Sequence, residues 1–296
     1  MSWRIIRVSI VPLVIVAMIV VGCTKKDTNK APIKDEIKSE GAVAMFRGNL
    51  ARSGVYPSGG PEKFTEVVWK FWTGGGVMSS PAVSGGVVYF GSNVGYLYAL
   101  DIRTGLEKWK YKTEGMVMSS PAVSDGVVYF GSNDSYLYAV DIETSREKWK
   151  FKTGSEGRDS GVSSSPVVSG GVIYFGSELH LYAVDIKTGL EKWKFESDNF
   201  VSSDPAVSGG VVYFGSENGY LYAMDAENGQ KKWEFWSSGA VISSPAVSDG
   251  TVFFVSNNDS LNAVDIRTGQ EKWKFKTGDP FNSSPAVSGG LVYFGG

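Results

Sequence analysis

The chain has 296 residues, with 29 basic against 31 acidic side chains, one cysteine and one histidine. A net charge of −2 spread over mixed signs excludes a basic nucleic-acid stripe or a polybasic membrane patch. One cysteine excludes a disulfide within the chain, and any histidine-dependent chemistry would rest on His180 alone.

Taken in order, the chain begins with Arg4 and Arg7 followed by Val8 to Val21, apolar except for Ser9 and Pro12. Fourteen helical residues reach about 21 Å, short of a roughly 30 Å hydrocarbon core, so residues 1–22 read as a cleaved export signal. Val20-Val21-Gly22-Cys23 resembles the lipobox of bacterial lipoproteins. That resemblance implies cleavage before Cys23 and a diacylglycerol on its sulfur. A plain signal peptide, or an uncleaved anchor with an incidental cysteine, is the alternative. Residues 23–44 are charged and lack aromatics, the composition of a flexible tether. Without the signal, 27 basic residues face 31 acidic ones.

From residue 67 onward one sentence is spelled repeatedly. Trp69, Trp109, Trp149, Trp193, Trp233 and Trp273 follow at spacings of 40, 40, 44, 40 and 40. A fixed period in this range marks a repeat architecture in which no unit buries its own core. In the second copy, Ser120 to Ser124 is short and small-sided, and Asp125-Gly126 is a turn signal. Val127 to Ser132 and Tyr136 to Asp141 are apolar on both faces. Lys148 to Lys152 alternates, with Trp149 and Phe151 on one face and three lysines on the other. Inner strands covered on both faces and an outer strand with one wet face describe a four-stranded blade. The expected fold is all-β, a β-propeller over residues 45–296.

Ala99-Leu100-Asp101-Ile102-Arg103-Thr104-Gly105-Leu106-Glu107-Lys108-Trp109 has the form A-x-D-x-x-x-G-x-x-x-W. It recurs up to Trp193, Trp233 and Trp273, and up to Trp149 with Ser145 in place of glycine. This resembles the tryptophan-docking motif of quinoprotein-like (PQQ-like) propellers over essentially all of 67–296. The resemblance implies that the six tryptophans dock between blades and that Asp101, Asp141, Asp185, Asp225 and Asp265 are structural turn residues. Full copies start at Ser79, Ser119, Ser164, Ser202 and Ser243, and a sixth begins at Ser283 with only two strands before Gly296. About six blades follow, five complete and one composite in which the lone strand Val67 to Phe71 joins the C-terminal strands. A three-stranded sixth blade, an open ring and a truncated copy remain alternatives.

Signals of catalysis are nearly absent: the sequence has no G-x-S-x-G, no H-E-x-x-H, no Cys-x-x-Cys and no acidic loop of EF-hand form. Quinoprotein dehydrogenases carry an adjacent cysteine pair and Glu, Asn and Asp ligands for calcium. One cysteine cannot make that pair, so no catalytic residue, metal or PQQ cofactor is expected. Variation concentrates instead on the blade-linking loops and the turns between second and third strands, expected at one end of the propeller. Divergence there fits a binding surface on a rigid scaffold, and equally loop drift after duplication. The third blade departs most, with a longer incoming loop carrying Arg158 and Asp159 beside His180. Phe200 lies in a linking loop, and Trp72 and Trp236 stand where other blades have Lys or Glu. These six residues are the candidate partner-binding positions.

Lipobox, tether and a propeller lacking cofactor ligands together resemble the BamB-type lipoproteins. The resemblance implies a non-catalytic scaffold anchored by lipid in the cell envelope and binding assembly machinery or nascent chains. It implies outer-membrane sorting towards the periplasm in a Gram-negative source, and the cell surface otherwise. A quinone or other small-ligand protein using the axial channel, and an adhesin or sugar-binding propeller with Trp72 and Trp236 as stacking platforms, are the rival readings. No nucleic-acid partner is expected.

Overall fold

A computed structural model of the chain describes residues 45–52, 67–154, 161–276, 278 and 283–295. The export signal, Cys23, the tether, Arg158 and Asp159 lie outside the described residues. Blade 1 comprises β1 (Ala82–Ser84), β2 (Val87–Ser92), β3 (Tyr96–Asp101) and β4 (Glu107–Lys112). Blade 2 has β5 (Ala122–Ser124), β6 (Val127–Ser132), β7 (Tyr136–Asp141) and β8 (Glu147–Lys152). Blade 3 has β9 (Val167–Ser169), β10 (Val172–Ser177), β11 (His180–Asp185) and β12 (Glu191–Glu196). Blade 4 has β13 (Ala206–Ser208), β14 (Val211–Gly215), β15 (Tyr220–Asp225) and β16 (Lys231–Trp236). Blade 5 has β17 (Ala246–Ser248), β18 (Thr251–Ser256), β19 (Ser260–Asp265) and β20 (Glu271–Lys276). Each is a four-stranded antiparallel meander in chain order, and β21 (Ala286–Ser288) pairs with β22 (Leu291–Tyr293) as a two-stranded sixth sheet. Among the described residues no helix is long and apolar enough to cross a membrane.

Burial follows the side-chain pattern. The second strand Val-Val-Tyr-Phe-Gly-Ser of blade 2 is buried throughout, while its outer strand alternates exposed and half-buried positions. Every outer strand joins the third through a register shift just before the motif aspartate, as at Ala99/Leu100 and Ala139/Val140. The residue this shift sets aside in blades 2, 4 and 5 is Lys148, Lys232 or Lys272, and each reaches back to Asp141, Asp225 or Asp265. A bulge of this kind adds local twist and re-aims the side chains beyond it. Here it brings Trp109 opposite Ala99, on the face that meets the next blade.

Three repeated contacts join the blades. The indole Nε1 of Trp69, Trp109, Trp149, Trp193 and Trp233 donates to the carbonyl of Ile102, Ile142, Ile186, Ala226 and Ile266 of the following blade, at 2.8 to 3.2 Å. Beside it, the outer-strand aromatic (Tyr111, Phe151, Phe195) packs on a stacked Phe–Tyr pair of the next blade. Near the axis, Ser80 N donates to Ser120 Oγ, Ser120 N to Ser165 Oγ, Ser165 N to Asp204 Oδ1, Asp204 N to Ser244 Oγ and Ser244 N to Ser284 Oγ. This chain of bonds runs from blade to blade through all six sheets. It also corrects the start of the fourth copy: Ser203, not Ser202, bonds Gly215 as Ser119 bonds Gly131, and Asp204 takes the second serine's place.

Among the described residues the sixth sheet holds β21 and β22 alone, with residues 67–73 not paired to it. Residues 67–73 occupy the outer-strand place ahead of blade 1, with Trp69 docked on Ile102 and Phe71 edge-on to Tyr98. They pair with no strand, because the described residues hold no third strand to bridge them to β22. Two consequences follow. Val83 is 45% exposed where its counterpart Val123 is 3% exposed against the preceding blade. Trp273 packs on Phe253 of its own blade but is 42% exposed, with no further turn among the described residues to dock on.

Candidate functional site

The linking loops and the second-to-third strand turns do lie at one end, and backbone hydrogen bonds tie them together. Val117 N donates to Ser92 O, Asn133 N to Met116 O, Val201 N to Glu178 O and Glu217 N to Phe200 O. The loop crosses so close that a Cβ on Gly91, Gly131, Gly176 or Gly215 would lie 2.3 to 2.4 Å from the carbonyl oxygen of Val117, Val162, Val201 or Val241. Only glycine permits that approach. Four linking loops are therefore pinned at Val117, Val162, Val201 and Val241 although their sequences differ. The remaining turns share the opposite end, where Ile102 N bonds Gly86 O and Ile142 N bonds Gly126 O.

At the loop end, the first residue of each third strand faces the last residue of its outer strand. The pairs are Tyr96 with Lys112, Tyr136 with Lys152, His180 with Glu196, Tyr220 with Trp236 and Ser260 with Lys276. In blade 1 the Lys112 ammonium sits 4.8 Å from the Tyr96 ring centre. The paired residues change chemistry from blade to blade: a lysine over a tyrosine ring in blade 1, histidine in register with glutamate in blade 3, tyrosine in register with tryptophan in blade 4. Its tyrosines were not among the expected site residues, because in the sequence they are indistinguishable from the buried tyrosines two positions on.

Blade 3 and the loop that follows it carry two of the expected residues, His180 and Phe200. His180 opens β11 and is half-buried, with its ring 5.4 Å from that of Tyr182. Its Nδ1 is buried with no hydrogen-bond partner among the described residues. Glu178, two residues earlier at φ +51°, has its carboxyl raised above the usual range by burial, an effect His180 opposes. Glu178 and, in register, Glu196 thus flank this histidine. Phe200, 41% exposed, lies on the loop whose next residue, Val201, bonds Glu178 O. Trp72 and Trp236 are not part of this group: Trp72 precedes blade 1 and is 88% exposed, and Trp236 projects from blade 4 at 61% exposure.

The axial mouth at this same end is occupied by residues 45–52. Met45 and Leu50 pack on the core of blades 2 to 4, and Ala51 packs on that of blades 4 and 5. Arg52 is fully buried there. The mouth does not fit a quinone with its metal: an arginine-bearing peptide fills it, the sequence has one cysteine, and no group of three or more His, Cys, Asp or Glu side chains gathers among the described residues.

The family model described as "Outer membrane protein assembly factor BamB" matches residues 64–199 and 180–296. No curated protein matches the sequence. Among solved structures, BamB from Moraxella catarrhalis is similar at 18% identity and a TM-score of 0.66, over 77% of this chain and 73% of that one. A computationally designed protein, Ika8, is similar at 20% identity and a TM-score of 0.64, over 73% and 67%. Quinohemoprotein alcohol dehydrogenase from Comamonas testosteroni is similar at 17% identity and a TM-score of 0.62, over 73% of this chain but 46% of the enzyme. At such identities these likenesses are of fold alone.

Proposed function

Because the chain belongs to the family described as outer membrane protein assembly factor BamB, we propose that it is a non-catalytic scaffold, lipid-anchored through Cys23 in the cell envelope. In this reading it docks protein partners of the outer-membrane assembly machinery, or their client chains, on the loop end of the propeller. The observation that carries the reading is the loop end itself: a rigid frame with variable tips, from which Trp72 and Trp236 stand out exposed. Exposed tryptophans on a rigid frame are the residue type that anchors protein interfaces. The small-ligand reading loses support because peptide fills the axial mouth. The adhesin reading loses support because Trp236 ends β16 of blade 4 whereas Trp72 stands apart, ahead of blade 1.

The test places photo-crosslinking residues at Trp72, Phe200 and Trp236, and as a control at Asp125 on the opposite end, in native membranes. Barrel-assembly components captured from the loop end and not from Asp125 are the expected result. Abundant protein that captures none of them at any loop position would overturn the proposal.

A further inference from the structure

Residues 45–52, Met-Phe-Arg-Gly-Asn-Leu-Ala-Arg, form neither helix nor strand, yet they are bound like a ligand. Arg52 Nε donates to Pro205 O at 2.8 Å, and its Nη2 donates to Ser165 O at 2.8 Å and Pro166 O at 3.3 Å. Its Nη1 closes on Phe46 O at 3.1 Å, with the Phe46 ring 5.3 Å from the guanidinium carbon. Arg47, also buried, donates from Nη1 to Ser244 O at 3.2 Å. The main chain is read as well: Val207 N donates to Leu50 O at 2.7 Å and Val247 N to Ala51 O at 2.8 Å. Every propeller group in these bonds is a backbone atom at or beside the inner strands β9, β13 and β17.

We propose that the axial mouth is a recognition site for an extended, arginine-bearing peptide, and that residues 45–52 are its resident intramolecular occupant. A buried cation is tolerated only where hydrogen bonds replace its hydration. The carbonyls of Ser165, Pro166 and Pro205 meet a planar guanidinium from two blades at once. A lysine ammonium has no such fork and is costlier to dehydrate. Asp204 marks the site, its Oδ1 accepting from Ser165 N. It is the only acid among the six equivalent positions Ser80, Ser120, Ser165, Asp204, Ser244 and Ser284, and it adjoins the Pro205 carbonyl that takes Arg52. The two N–H donors fix the peptide's direction and register, as strand addition does in other peptide sites. Only residues 53–66 join the segment to the first described residue of the propeller body. Such a short link makes the local concentration of the segment high, so it outcompetes a free peptide until it is released. The site goes beyond the scaffold reading and does not depend on it.

The test inserts a specific protease site between residues 53 and 66 of the full chain and cleaves after folding. The segment should stay with the propeller through gel filtration. A dye-labelled peptide of residues 45–52 should then exchange into the cleaved protein with a saturable rise in anisotropy. The same peptide carrying Arg52→Ala or Arg52→Lys should bind at least tenfold more weakly. Immediate loss of the segment with no labelled peptide bound, while circular dichroism shows the sheets intact, would overturn the proposal. So would equal binding of the Arg52→Ala peptide. Should cleavage unfold the chain, the uncut Arg52→Lys protein supplies the test: it should capture the labelled peptide that the unaltered chain excludes, and failure to do so rejects the site.

Discussion

The indole nitrogen of Trp109 donates to the carbonyl of Ile142 at 2.9 Å, three residues before Ser145, the one motif position where glycine is missing. In the other complete blades a Cβ on Gly105, Gly189, Gly229 or Gly269 would lie 2.5 to 2.8 Å from the docked tryptophan ring. Ser145 holds the same left-handed conformation, φ +58°, with a Cβ in place. Ser145→Gly should therefore stabilise the chain by about 0.5 kcal/mol, the conformational relief exceeding the added freedom of the unfolded state. Gly105→Ser should destabilise it by roughly 1–3 kcal/mol, because the ring of Trp69 must also move. Chemical denaturation of the two variants checks this, and equal shifts in one direction would refute it.

The exposure of Val83 sets up a second prediction. Val123→Ala removes two methyls from a packed blade interface and should cost about 2 kcal/mol. Val83→Ala, at the same repeat position but 45% exposed, should cost less than about 0.5 kcal/mol. Thermal unfolding of both variants decides; matched losses would mean that Val83 is covered in solution.

Much of this frame could be read from residue spacing because the interactions that build it are local or periodic. Asp101 Oδ1 accepts bonds from Arg103 N, Thr104 N and Thr104 Oγ1, all within three residues, so the motif spells its own turn. Trp109 reaches Ile142 at a separation of 33, set by the repeat period. The axial peptide had no such signature. Its arginines bond carbonyls 113 to 197 residues away, through backbone groups that every blade possesses, so nothing in the side-chain pattern points to them. The one departure in the Ser-Ser-Pro series is Asp204, and a single acid in a repeated phrase does not by itself name a partner. His180 is the first residue of β11, the strand edge that the shortened turn of blade 3 leaves at this end.

Acid stability should follow the turn aspartates. Hydrogen bonds from Thr144 hold the Asp141 carboxyl down at about 2 from an ordinary 3.8, and bonds from Thr268 do the same for Asp265. Asp101 and Asp185 are lowered by the same threonine bonds, and Asp225 chiefly by Lys232. A carboxyl lowered on folding contributes stability that is fully present above its unfolded value and lost as pH falls through the folded one. The unfolding midpoint should therefore drop between about pH 4 and pH 2. The double variant Asp141→Asn/Asp265→Asn should begin lower at neutral pH and fall less steeply across that window. A slope unchanged from the parent chain would remove these turns as the cause.

The two kinds of tryptophan should separate stability from docking. Trp109→Ala deletes a half-buried ring that packs 5.8 Å from Tyr89 and bonds Ile142, so it should cost about 3 kcal/mol, the low end for a large aromatic. Trp72→Ala and Trp236→Ala remove rings standing largely in solvent and should leave stability within about 0.5 kcal/mol of the parent. Under the scaffold reading, the last two should still reduce recovery of crosslinked partners from native membranes severalfold, since an interface anchor acts only in the complex. Unchanged recovery from both, at full protein abundance, would move the docking surface away from these tryptophans and towards the Glu178, His180 and Phe200 group of blade 3. If instead Trp236→Ala alone lowers stability by more than 1 kcal/mol, its ring is part of the blade through its pairing with Tyr220 and is not an anchor.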